Sequence, residues 1–142
     1  MSKLIWNIGA FIIMYAIGTI LGFAAYLLIS PLAMIVTMFT VMPVVCVFLI
    51  YWYLRKTAAT PQRVWREVLI IVATWIVLSF GFDAIMYILI VPMIMKAPPN
   101  WRFFIEQSPW IWYCYAMLFV CGYAAGWLYR KCPARPALPE KK

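Results

Sequence analysis

The chain of 142 residues contains no histidine and only four acidic residues. Because histidine is the commonest ligand of zinc and a usual axial ligand of haem, the familiar sites for both groups lose their main donor. The sequence also lacks a Ser/His/Asp set, a Cys/His pair, a phosphate-binding glycine loop and a close pair of carboxylates. These absences predict a protein that is not an enzyme and that has no cofactor and no metal site.

The sulfur-containing residues do not change that expectation. No two cysteines form a CxxC motif, and the nine methionines are scattered through apolar segments. Both residue types are common in apolar interiors. We therefore interpret Cys46, Cys114 and Cys121 as packing residues, whereas Cys132 lies in the tail beside the membrane, where palmitoylation is the alternative.

Polar sequence is scarce, since 68% of the residues are hydrophobic, 11% are charged and the mean hydropathy is +0.94. A transmembrane helix needs about 20 apolar residues, and lipid gives backbone groups no partner outside a helix or a closed barrel. The apolar runs are unbroken, which excludes the alternation of a barrel. We predict an all-α, four-helix transmembrane bundle that forms one membrane domain over residues 1–142. Its helices cover about 4–29, 32–54, 61–95 and 109–130, and a cytoplasmic tail covers 131–142.

Three Ser/Thr-Pro pairs mark predicted helix starts: Ser30-Pro31, Thr60-Pro61 and Ser108-Pro109. A hydroxyl at the cap position accepts a hydrogen bond from a free backbone N–H, and proline at the first helical position loses nothing by lacking its own. The first pair leaves almost no loop between the first two helices, which predicts a tight antiparallel hairpin.

The net charge is +8, and its distribution predicts orientation. Ten of the twelve basic residues fall on one side of a four-helix path, and Lys96 and Arg102 fall on the other. By the positive-inside rule, both termini are predicted to be cytoplasmic. The basic tail is explained by topology and by anionic lipid headgroups, so we expect the lipid bilayer, and no nucleic acid, as its partner.

Two glycine pairs predict close helix packing. Gly18 and Gly22 lie on the first helix, and Gly122 and Gly126 lie on the fourth. A spacing of four places each pair on one helix face, where the missing side chains let another backbone approach. We expect the first helix to pack on the fourth through these faces. A contact between copies of the chain is the alternative.

Asp83 stands alone in an uncharged run from 68 to 95. Holding an ionised carboxylate near the bilayer centre costs about 2.5 to 3.5 kcal/mol on insertion scales, so it should face protein or water. Ser79 and Tyr87 lie one turn before and one turn after it on the same helical stripe. Because no intramembrane cation is present, burial favours the neutral acid, which can donate a hydrogen bond.

Two interpretations of Asp83 stay open. It is either a protonatable or cation-binding site on a transport path, or an interhelical hydrogen-bond tie. Candidate partners from other helices are Thr19, Thr37 and Thr40.

The segment "KAPPNWRFFIEQSP" is the only sizeable external loop. We expect it to lie on the membrane surface with its aromatic side chains among the lipid headgroups, with a lid or partner-docking role as the alternative. The aromatic residues at the start of the fourth helix match an interfacial belt: Trp110, Trp112, Tyr113 and Tyr115.

The stretch from 60 to 126 resembles a group of small, uncharacterised bacterial four-helix membrane proteins. The residues that carry the resemblance are Pro61, Arg63, Phe82-Asp83-Ala84, Pro92 or Pro99 with Asn100, Phe103-Phe104, and 110–115. The resemblance covers about half of the chain and implies a fold and a location in the bacterial plasma (inner) membrane. It implies no activity, so it assigns no role to Asp83.

We expect a multi-pass plasma-membrane protein that works as an oligomer. It transports a substrate or lets it permeate, and it uses Asp83 as a protonatable group. The alternative is a non-catalytic accessory or stabilising subunit of a larger membrane complex, which would use the glycine faces and the external loop. Both hypotheses predict association, either with further copies of the chain or with a partner membrane subunit.

Overall fold

A computed structural model describes residues 3–57, 60 and 62–132, and this part of the chain is all-α. The elements are α1 (Lys3–Leu28), α2 (Pro31–Lys56), α3 (Val64–Asp83), a π-helical segment (Ala84–Ile90), α4 (Val91–Ile94), α5 (Phe103–Glu106) and α6 (Trp110–Lys131). The α3, π-helical and α4 segments follow one another without interruption, so four apolar helices are long enough to cross a membrane. The four-helix bundle expected from the sequence is thereby confirmed.

The helices form a closed bundle. The helix α1 packs along α2, α2 along α6 and α6 along α3, while α3 touches α1 and α2 over shorter stretches. We call the end with the 95–109 loop the loop end, and the end where α1 begins and α6 finishes the terminal end. The core is tightest toward the terminal end, where Ile50, Leu54, Ile71 and Trp75 are fully buried.

The predicted cap of the second helix is correct. The Ser30 hydroxyl accepts a hydrogen bond from the Ala33 N–H at 3.1 Å, and Pro31 is the first helical residue. The two helices are separated by only two residues, as a tight hairpin requires.

The other two predicted caps are wrong. The helix α3 begins at Val64 without a side-chain cap, because the Thr60 carbonyl first accepts the Arg63 N–H in a turn. Pro61 lies outside the described residues. The helix α6 begins after Pro109, which itself occupies the cap position and therefore leaves no such role for the preceding serine.

The π-helical segment has a cause in the sequence. Pro92 has no N–H, so it cannot bond the carbonyl of Ile88 one turn earlier. The Asn100 N–H donates to that carbonyl at 3.0 Å instead. The hydrogen bonding over Ala84–Ile90, just before the proline, is π-helical, and the Asn100 N–H ties the 95–109 loop to the third membrane span.

The glycine pairs have different neighbours from those predicted. A Cβ on Gly18 would lie 2.9 Å from the Met42 methyl carbon of α2, and a Cβ on Gly122 would lie 2.5 Å from Val72 Cγ2 of α3. Gly22 and Gly126 likewise face α2 and α3. The expected packing of the first helix on the fourth through these faces is therefore wrong, because the glycines join neighbours in the ring of helices.

Candidate functional site

Two tyrosines from other helices bind the Asp83 carboxylate. The Tyr15 hydroxyl of α1 donates to Oδ1 at 2.9 Å, and the Tyr115 hydroxyl of α6 donates to Oδ2 at 2.8 Å. Asp83 is the last residue of α3 and is only partly buried. One carboxylate thus links three of the four membrane spans, with each oxygen held by a separate phenol.

The predicted neighbours lie close by without being the donors. Ser79 and Tyr87 line the same cavity as Asp83, as does Thr19. The Thr40 hydroxyl instead bonds the Val36 carbonyl within its own helix at 2.7 Å. Among the described residues, the hydrogen bonds to Asp83 come from the two tyrosines.

Neither tyrosine donor is predicted from the sequence, for identifiable reasons. By its position Tyr115 matches the interfacial aromatic belt, and no sequence pattern distinguishes Tyr15 from its neighbours. The separations are 68 and 32 residues, so neither pair follows from periodicity within one helix. A regular register between the parallel helices α1 and α3 is the signal that could have found Tyr15.

That register consists of three polar contacts between α1 and α3. Lys3 forms an ion pair with Glu67 at the terminal end, and the Trp75 indole N–H donates to Asn7 Oδ1 at 2.8 Å. The Tyr15 bond to Asp83 is the third contact, and its sequence separation of 68 equals that of the Trp75 bond. Asn7 is 3% exposed, so this second contact is a buried polar pair.

A cavity of about 200 Å³, which we call the inner cavity, lies beside Asp83 in the middle of the bundle. Four methionines and three cysteines contribute to its wall: Met14, Met38, Met42, Met117, Cys46, Cys114 and Cys121. The four cysteines of the chain are free thiols. Within the described residues, no group of three or more His, Cys, Asp or Glu side chains is placed to hold a metal ion.

A second cavity of about 360 Å³, which we call the outer cavity because it lies nearer the loop end, extends from the same carboxylate to the 95–109 loop. Phe103 and Gln107 of the loop line it, and Thr19, Asp83 and Tyr87 line both cavities. Asp83 therefore lies where the two spaces meet.

The 95–109 loop covers part of the bundle. The Phe103 ring stacks on Tyr87 with centroids 4.9 Å apart, and the Phe104 ring stacks on Phe80 at 4.6 Å. Both rings of the loop therefore find aromatic partners on the third span. Trp101 is 74% exposed.

The site has a single charged side chain, the Asp83 carboxylate, among the described residues that line it. Of the described residues that line the two cavities, Asp83 is the only Asp, Glu, Lys or Arg. The ion pair found in the described part of the chain, between Lys3 and Glu67, lies at the terminal end. The arrangement provides a carboxylate that can exchange a proton or accept a cation without displacing a protein counter-ion.

Comparisons with protein families, with characterised proteins and with solved structures give no match to this chain. The resemblance to small bacterial four-helix membrane proteins therefore stays an expectation.

Proposed function

We propose that the protein is an oligomeric transport or permeation protein of the bacterial inner membrane, with both termini cytoplasmic, and that Asp83 carries its proton or cation. The observation that carries this proposal is a carboxylate without a cationic partner at the junction of two cavities. An intramembrane acid of this kind is characteristic of ion pathways and proton relays.

The packing of the terminal half of the bundle favours a transporter rather than an open pore. Phe11, Ile50, Ile71 and Trp75 lie on the terminal side of Asp83 along their helices, and each is at most 1% exposed. A proton or cation that reaches Asp83 from the loop end therefore meets a packed barrier. Passage requires a second conformation, or a path along the surface between copies of the chain.

The orientation within this proposal rests on charge. The basic residues near the terminal end include Lys3, Arg55, Lys56, Arg130 and Lys131, whereas the external loop contributes Lys96 and Arg102. The positive-inside rule places the basic end in the cytoplasm, so the outer cavity faces the periplasm.

The alternative, an accessory subunit, depends on the glycine faces and the loop aromatics, and many of these residues already pack within the chain. The glycine faces contact α2 and α3 inside the bundle, and Phe103 and Phe104 pack on the third span. On the loop, Trp101 and Ile105 are 74% and 69% exposed and stay accessible to a partner.

Proton flux into liposomes tests the proposal. Purified protein is reconstituted with an internal pH-sensitive dye, and an imposed pH gradient is discharged at a measured rate. We expect flux above that of empty liposomes, loss of that flux in Asp83→Asn and partial recovery in Asp83→Glu. Glu106→Gln is the matched control, because Glu106 is an exposed acid outside both cavities.

Equal flux in wild type and Asp83→Asn would contradict a role for the carboxylate. Melting temperatures of all variants in detergent show whether a loss of flux reflects a loss of fold.

A further inference from the structure

The outer cavity has walls that suit a particular kind of cation. Rings from the first two spans, the π-helical segment, the loop and α6 surround it: Phe23, Tyr26, Phe39, Tyr87, Phe103 and Trp110. Tyr87 lies between two of them, with centroid distances of 4.9 Å to Phe103 and 6.5 Å to Phe23. Phe39 and Trp110 meet edge to face at 6.4 Å.

An aromatic wall beside one carboxylate is the chemistry that recognises organic cations. The ring face attracts positive charge, and clusters of aromatic rings bind quaternary ammonium groups in this way. A hard inorganic ion such as Mg²⁺ or Ca²⁺ instead requires about six or more oxygen ligands. The two phenol groups nearest to the carboxylate already direct their hydrogens at it, and the surrounding wall is mainly apolar.

The size of the space is also suitable. A volume of about 360 Å³ lies within the range of roughly 300 to 1,000 Å³ that is usual for small-molecule sites. The cavity reaches the loop end through Gln107 and Phe103, so a ligand can approach from the side opposite to the packed terminal half.

We infer that the outer cavity binds a hydrophobic organic cation, of the quaternary ammonium class, with its ammonium group beside Asp83 and the ring of Tyr87 and its apolar groups against the other rings of the wall. This inference rests on the proposed function, because it names the substrate class that the same carboxylate would serve.

Binding and protonation compete at this site. When the carboxyl group is protonated, the cation takes the place of the proton, which passes to water, so each cation bound releases at most one proton. The titratable groups that face Asp83 are Tyr15 of α1, Tyr87 of the π-helical segment, and Cys114 and Tyr115 of α6. None of them is a cationic group, so none competes with the ligand for the carboxylate.

Calorimetric titration of the full-length protein in detergent with benzyltrimethylammonium tests the inference. We expect saturable binding with proton release, and affinity weakened about tenfold or more by Asp83→Asn or by Tyr87→Leu, since each removes one attraction for the cation. Trp101→Leu is the matched control. It removes an exposed aromatic side chain from the same loop and should leave the affinity unchanged.

Two competitors separate charge from hydrophobicity. Neopentylbenzene has the same shape without the charge, and sodium has the charge without the apolar groups. We expect both to compete at least about tenfold less well than the cation, since each lacks one of the two attractions. Equal competition by the neutral compound, or an affinity unaffected by Asp83→Asn, would overturn the inference.

The failure of this inference is distinguishable from failure of the proposed function. If benzyltrimethylammonium does not bind saturably while proton flux still depends on Asp83, the organic-cation site is refuted and the proposed function stands. If Asp83→Asn fails to fold, Tyr87→Leu and the neutral competitor decide the outcome.

Discussion

The Tyr115 hydroxyl donates a 2.8 Å hydrogen bond to Asp83 Oδ2, and it thereby joins the loop end of α6 to the last residue of α3. Tyr15 holds the other carboxylate oxygen from α1. One of the two interpretations of Asp83 is an interhelical hydrogen-bond tie, and this tie is present. The transport hypothesis relies on the same group. A carboxylate that links three helices can also change their packing when it gains a proton or a cation.

Removing the hydroxyl group of one of the two tyrosines should lower the stability of the bundle modestly. Tyr115→Phe loses a single interhelical hydrogen bond, which in membrane proteins is worth about 0.6 kcal/mol on average and rarely above about 2 kcal/mol. We expect a lower melting temperature in detergent. Tyr113→Phe is the control, because Tyr113 is 55% exposed on the same helix and should show no change.

A double-mutant cycle isolates the bond itself. If Tyr115→Phe costs as much in the Asp83→Asn background as in the wild type, the phenol and the carboxylate do not interact energetically.

Adding one methyl group to α6 should disturb its contact with α3. A Cβ at position 122 would lie 2.5 Å from Cγ2 of Val72, a stiff and buried side chain. We expect Gly122→Ala to cost about 1 to 3 kcal/mol of stability through overpacking, measured by thermal or denaturant unfolding. Gly9→Ala is the control, because nothing lies within 4 Å of its added Cβ.

Two further variants test the cause of that cost. Val72→Ala should restore stability to Gly122→Ala by vacating the space. Gly18→Ala should cost less than Gly122→Ala, since the atom it meets is the flexible end of Met42. A Gly122→Ala protein as stable as wild type would show that the two helices do not approach so closely.

The buried pair of Asn7 and Trp75 predicts a non-additive result. Asn7→Leu removes the 2.8 Å acceptor of the buried indole N–H and leaves it the 3.4 Å contact with the backbone carbonyl of residue 7, so we expect a loss toward the lower end of about 1 to 3 kcal/mol. Trp75→Phe together with Asn7→Leu should cost less than the sum of the single changes, because the donor that would lose its shorter hydrogen bond is then absent. Additive losses in melting temperature would contradict the pairing.

The proposed orientation predicts which membrane face exposes Cys132. This exposed thiol follows the end of α6, whereas Cys46 and Cys121 are buried. A membrane-impermeant maleimide should label the protein in spheroplasts only after the membrane is opened, and Cys132→Ser should remove that label.

A cysteine at the loop end provides the opposite result as a control. Trp101→Cys in the Cys132→Ser background should react in intact spheroplasts, since position 101 is exposed on the external loop. Labelling of Cys132 in intact spheroplasts would reverse the orientation.

The sequence by itself determined the four membrane spans, the charge asymmetry and the isolation of Asp83. These are local properties: a span requires about 20 consecutive apolar residues whatever its neighbours are. The observed helix ends lie within two residues of the predicted ones, except that α3 starts three residues later because a turn precedes it.

Only the tertiary structure decided what surrounds the carboxylate and the glycines. Tyr15 and Tyr115 reach Asp83 because of how three helices are arranged and rotated, and no pattern within one helix contains that information. Tyr87 lies one turn beyond Asp83 in an ideal α-helix, but the backbone there is π-helical and its ring stacks on Phe103. Apolar periodicity shows which segments enter the membrane, whereas side-chain packing between helices decides which faces meet.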